Sequence, residues 1–148
     1  MKRFILWGLF FGIACLQVNC QKPGTGSDGS GASKQALVSG KIDLDPKFSD
    51  RQGPLSTLYI IARGPEGTIL AVKKVSPPLT FPLDFSLEPE DQMLGPTPWP
   101  DNFSLKVRLD QDGIANREAP GDLIGVPDKD ILPAGATGIK VTINSEVQ

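Results

Sequence analysis

Two runs of consecutive apolar residues, Leu58-Tyr59-Ile60-Ile61-Ala62 and Ile69-Leu70-Ala71-Val72, flank the turn Gly64-Pro65-Glu66-Gly67. Strands that are apolar on successive positions are covered on both faces, whereas half-exposed strands alternate. The pattern therefore predicts a hairpin over residues 58–75 at the centre of the domain. Around it the alternation is cleaner. Val38, Gly40, Ile42 and Leu44 alternate with Ser39, Lys41 and Asp43, which predicts a first half-buried strand. Asp45-Pro46 ends it, and residues 46–52 form a loop or one helical turn anchored by Phe48. Phe81, Leu83, Phe85 and Leu87 mark another strand, which Pro82 pushes to a sheet edge because proline donates nothing to a ladder. Phe103, Leu105, Val107 and Leu109 alternate with Ser104, Lys106, Arg108 and Asp110 in the most regular strand of all. Ile139, Val141 and Ile143 make the last.

Between these runs lie polar or proline-rich breaks: Ser76-Pro77-Pro78, the acidic turn 88–93, Gly95-Pro96-Thr97-Pro98-Trp99-Pro100, and a long irregular connection from Pro120-Gly121-Asp122-Leu123-Ile124-Gly125. No segment has helical periodicity. The expected fold is all-β, an antiparallel β-sandwich of about six to eight short strands over residues 37–144.

The first residues follow a different logic. Met1-Lys2-Arg3 is basic, and the fifteen residues 4–18 form an apolar run shorter than the roughly 20 needed to cross a bilayer. Cys20 follows, and then Gly/Ser-rich sequence. This order resembles a bacterial lipoprotein signal, with residues 1–19 as the signal peptide and 20–36 as a flexible tether. The resemblance implies lipid attached to Cys20, with Cys15 after Gly12-Ile13-Ala14 as the competing site. The chain would then sit lipid-anchored in a bacterial cell envelope, its domain in the periplasm.

Composition narrows the chemistry. The 148 residues contain no histidine, which removes the commonest general base, the Ser-His and Cys-His pairs and the usual zinc or haem ligand. The 15 basic and 17 acidic residues become 13 and 17 without Lys2 and Arg3, a net of −4 with no basic cluster. Nucleic acid is therefore not an expected partner. Asp110-Gln111-Asp112-Gly113 has the start of a calcium loop without its remaining ligands, and fits a plain Asp/Gly turn. Glu88, Glu90 and Asp91 are grouped acids with no nucleophile nearby. Trp99, held between prolines, offers either a rigid contact for a partner or a plug for the sandwich end. The residues thus predict a non-enzymatic chain with no cofactor and no metal site.

The order of motifs adds a resemblance. Residues 40–46 (GKIDLDP), 58–63 (LYIIAR), 70–74 (LAVKK), Pro82-Leu83 with Asp91-Gln92-Met93, Val107-Arg108-Leu109 and 120–125 (PGDLIG) follow one another as in a single known domain. It is similar to the immunoglobulin-like C-terminal periplasmic domain of the CycH-type cytochrome c biogenesis factors, over residues 38–143. That resemblance implies a protein-binding role in haem ligation, with apocytochrome or the ligation components as partners. The other role open to such a domain is that of a structural envelope lipoprotein without a part in cytochrome maturation.

Overall fold

The computed structural model describes residues 35–53, 56–113 and 117–148. Eight strands follow in order: β1 (Val38–Leu44), β2 (Thr57–Arg63), β3 (Ile69–Val75), β4 (Leu83–Leu87), β5 (Asn102–Asp110), β6 (Leu123–Pro127), β7 (Leu132–Pro133) and β8 (Ala136–Glu146). Among the described residues helix is confined to two 3-10 segments, Pro46–Arg51 and Pro89–Asp91. The expected all-β, sandwich-like architecture is the one observed.

The strands form one continuous path, β3-β2-β5-β6-β8-β1-β4, with β7 on the start of β5. One face of this path is apolar. Leu58, Ile60 and Ala62 of β2, Phe103, Leu105, Val107 and Leu109 of β5, and Val141 and Ile143 of β8 meet Val38, Ile42, Phe85 and Leu87 in a single core. Burying that face makes the sheet curl until its two outer strands approach. They are joined by Lys73 of β3, whose Nζ donates to Ser86 O of β4 at 2.8 Å and to Asp91 Oδ2 at 2.9 Å. An isolated bridge between Ala71 and Gln92, and a bond from Met93 N–H to Leu70 O, continue the seam. The product is a nearly closed barrel.

Three expectations need correction. The hairpin does not sit at the centre: β2 is second on the path and β3 is one of its ends. Leu58, Tyr59 and Ile60 are buried, but Ile69, Leu70 and Val72 only partly so, because no further strand covers β3. Nor is every pair antiparallel, since β1 runs parallel to β8. A first strand and a last strand can meet in either sense, because no short turn joins them. Their backbones approach so closely at a register shift that a Cβ on Gly40 would lie 1.9 Å from Ile139 O. Finally, the connection after Pro120 is not irregular throughout. Residues 123–127 form β6 between β5 and β8, where a Cβ on Gly125 would lie 2.7 Å from Thr142 O. The edge position expected of the strand after Pro82 is found, since β4 pairs only with β1 and ends the path.

The paired registers sort the loops to two ends. At one end lie the turn after β2, residues 88–101, residues 128–135 and the start of β1. The opposite end carries residues 45–53, 56, 76–82, 111–113 and 117–122. Replacing Ile60, fully buried, by Asp places an unpaired charge in the core and should abolish the cooperative thermal transition. Val72 lies opposite Ile61 and is only half-buried. Val72→Asp should therefore still fold, losing about 1–2 kcal/mol in urea titration.

Candidate functional site

The end that carries residues 45–53, 76–82 and 117–122 holds a cavity of about 450 Å³ lined by Gln52, Gly53, Ser56, Pro77, Pro78 and Leu79. The 3-10 segment Pro46–Arg51 brings one wall into place, with Asp45 Oδ1 accepting from Lys47 N–H at its start. The other wall is the proline-rich segment between β3 and β4, where the Pro77-Pro78 and Phe81-Pro82 peptides are cis. Ser56 is the floor. Its Oγ accepts from Gly53 N–H at 2.8 Å and contacts Gln111 Oε1 at 3.4 Å.

Gln111 connects this floor to a buried ionic cluster. Arg108 points outward from β5, a position that alternation assigns to solvent, yet its side chain is only 4% exposed. Its guanidinium carbon lies 5.1 Å from the centre of the Tyr59 ring. Arg108 Nη2 is 3.4 Å from Asp110 Oδ2 and Nε is 3.8 Å from Asp122 Oδ2. One guanidinium therefore faces two desolvated carboxylates, and the remaining lone pairs must be met by other donors. Backbone supplies them: Asp110 accepts from Gly113 N–H, and Asp122 accepts from Gln111 N–H at 3.2 Å and Ala119 N–H at 3.0 Å. Asp122 thus closes the neck of the 111–122 loop, and Lys106 Nζ fastens its flank to Glu118 at 2.7 Å. Arg51 does the same for the C-terminal end of β8, pairing with Glu146 at 2.9 Å and donating to Gly121 O. These groups hold the cavity walls in place and engage one another rather than the cavity.

The residues singled out from sequence are spread over the barrel. Asp110 belongs to the cluster and to an Asp/Gly turn with Gly113 at φ 78°, while Asp112 is exposed. Asp91 accepts from Lys73 at the seam, while Glu88 and Asp91 cap the short 3-10 segment between them, each side chain accepting from the other's backbone N–H, and Glu88 also accepts from Ser86 Oγ. Among the described residues no group of three or more His, Cys, Asp or Glu side chains is placed to hold a metal ion. Trp99 lies at the opposite end from the cavity. Its ring rests half-buried on the core and its Nε1 donates to Gln35 O at 2.8 Å. Cys15 and Cys20 fall outside the described residues, and no described helix is long and apolar enough to cross a membrane. Elsewhere, Lys41 of β1 meets Asp84 of β4 at 2.8 Å. The hydrogen bond and charge of Asp84 lift the Lys41 ammonium above its ordinary 10.5. A raised pKa contributes stability below the unfolded value and loses it only as pH rises through the folded one. The pair is accordingly constant across neutral pH.

Sequence reasoning missed the cavity and the cluster. The cavity joins segments more than twenty residues apart, and Arg108 alternates like any outward-facing residue. The one available signal was Asp122, a lone acid between the Pro120-Gly121 turn and the apolar start of β6. No family model matches the chain, and neither does any curated protein or solved structure.

Asp122→Ala removes a partner of buried Arg108 and, with it, the acceptor of two backbone N–H groups, those of Gln111 and Ala119. It should cost about 3 kcal/mol in urea titration and make residues 111–122 the first site of proteolysis. Asp128→Ala, at an exposed position of the opposite end, should stay within about 0.5 kcal/mol of the parent.

Proposed function

We propose that this chain is a non-enzymatic bacterial envelope lipoprotein whose β domain binds a protein partner, as an accessory to c-type cytochrome biogenesis. The observation that carries the binding role is the placement of the cavity. It lies at the opposite end of the barrel from Gln35, where the N-terminal segment enters. A domain held by its N-terminus presents such an end to whatever approaches. Pro77, Pro78 and Leu79 give the cavity apolar surface and Gln52 gives it a polar group, a mixture that a partner's side chain could use. Proline-bounded walls limit the ordering cost of binding.

The assignment to cytochrome maturation rests on the motif order. Those motifs occupy positions that matter to the fold: Gly40 at the β1–β8 approach, Leu58–Arg63 along β2, Lys73 at the seam and Asp122 in the ionic cluster. Lipid at Cys20, or at the competing Cys15, would supply the anchor, and a single acyl chain alone would hold it only reversibly.

A photo-crosslinking residue in place of Leu79, in the full chain expressed in its own membrane, tests the reading. Capture of apocytochrome or haem-ligation components is the expected result. Capture of peptidoglycan-associated or outer-membrane proteins alone would assign the chain a structural envelope role instead.

A further inference from the structure

The end through which the chain enters carries every large apolar side chain that is strongly exposed among the described residues. Met93 is 59% exposed, Leu94 67%, Val126 52% and Ile131 56%. Met93 and Leu94 follow the 3-10 segment Pro89–Asp91, Val126 is near the end of β6, and Ile131 precedes β7. Such residues scattered singly over a surface mean little; gathered at one end of a barrel they mark a contact.

The loops that bear them are built, and they grip the entering chain. Gln92 folds residues 92–97 into a closed turn, its Nε2 donating to Thr97 O and its Oε1 accepting from Thr97 N–H. Trp99 then donates to Gln35 O, Ala134 N–H to Asp101 O, and Gly135 N–H to Leu37 O at 2.7 Å. Gln35 and Leu37 are thus held between the two loops that expose Leu94 and Ile131. Gln35, the first described residue, therefore lies beside the apolar end of the barrel.

From this juxtaposition we infer that Met93, Leu94 and Ile131 dip into the interface of the lipid bilayer and set the domain upright, cavity outward. The inference rests on the lipid anchor proposed above. Fourteen residues lie between Cys20 and Gln35, giving a root-mean-square reach of about 20 Å for a Gly/Ser-rich chain. At that range the effective concentration of the surface is high, so a few apolar side chains suffice to hold an orientation. The exposed acids of the same end, Glu66, Asp101, Asp128 and Asp130, outnumber Lys129. The contact is therefore apolar rather than electrostatic, and anionic lipid weakens it.

The test uses the full, acylated chain in phosphatidylcholine vesicles, with an environment-sensitive fluorescent amino acid in place of Leu94 or, at the opposite end, of exposed Thr80. Flotation with the vesicles reports the anchor; quenching by lipids nitroxide-labelled near the headgroup reports the contact. The expected result is flotation of both proteins, with the Leu94 probe quenched at least twofold more than the Thr80 probe, and the difference reduced by Met93→Glu. Flotation with equal quenching overturns the orientation and leaves the anchor standing. A blue-shifted Leu94 probe that lipid nitroxides do not quench assigns this end to a protein contact and overturns the inference. Failure to float removes the anchor and the inference together.

Discussion

A single sheet with one apolar face has to close on itself, and here the closure depends on Lys73. The path of strands begins at β3 and ends at β4, and a barrel left open there would expose Ala71 and Leu87, which are fully buried. Lys73 bridges the gap with two short charge-assisted bonds to Ser86 O and Asp91. The side chain is about one-third exposed, so water moderates its strength, yet it contacts both sides of the only gap in the path. The 3-10 segment Pro89–Asp91 exists in the service of this seam, since Asp91 also caps it through Glu88 N–H.

Closure gives the domain two distinct ends, and the ends have different chemistry. One is stiffened from beneath by the Arg108–Asp110–Asp122 cluster, where backbone donors complete what one guanidinium cannot offer two carboxylates. Such a cluster adds little net stability compared with apolar packing, but it punishes any rearrangement of the 111–122 loop. The other end grips the entering chain and exposes apolar side chains beside it. The partner-binding role proposed for the first end and the membrane contact proposed for the second both draw on this difference.

Strands with strict alternation were legible from sequence: β1, β4 and β5 lie where Val38, Phe85 and Phe103 and their apolar neighbours put them. The short strands β6 and β7 were not, because Gly125, Pro127 and Pro133 carry loop signals and their strand state is imposed by neighbours. The apolar run of β2–β3 misled about its place in the sheet. Ile61 and Val72 form an outer patch on the barrel, and such a patch has the same signature as burial on both faces. The site was the least legible part. Arg108 looks like an ordinary exposed strand residue until Tyr59, Asp110 and Asp122 are seen around it, whereas Trp99 takes the second of the two roles open to it, its ring packed on the core at the barrel end.

The most direct measurement is amide hydrogen exchange on Lys73→Met, which keeps the apolar stem and removes the charge. Exchange at the seam, in Ile69–Val75 and Leu83–Leu87, should accelerate about tenfold, the equivalent of roughly 1.4 kcal/mol, while β5 and β6 stay protected. Unchanged exchange at β3 and β4, or an equal rise in every strand, would contradict the central role given to this seam.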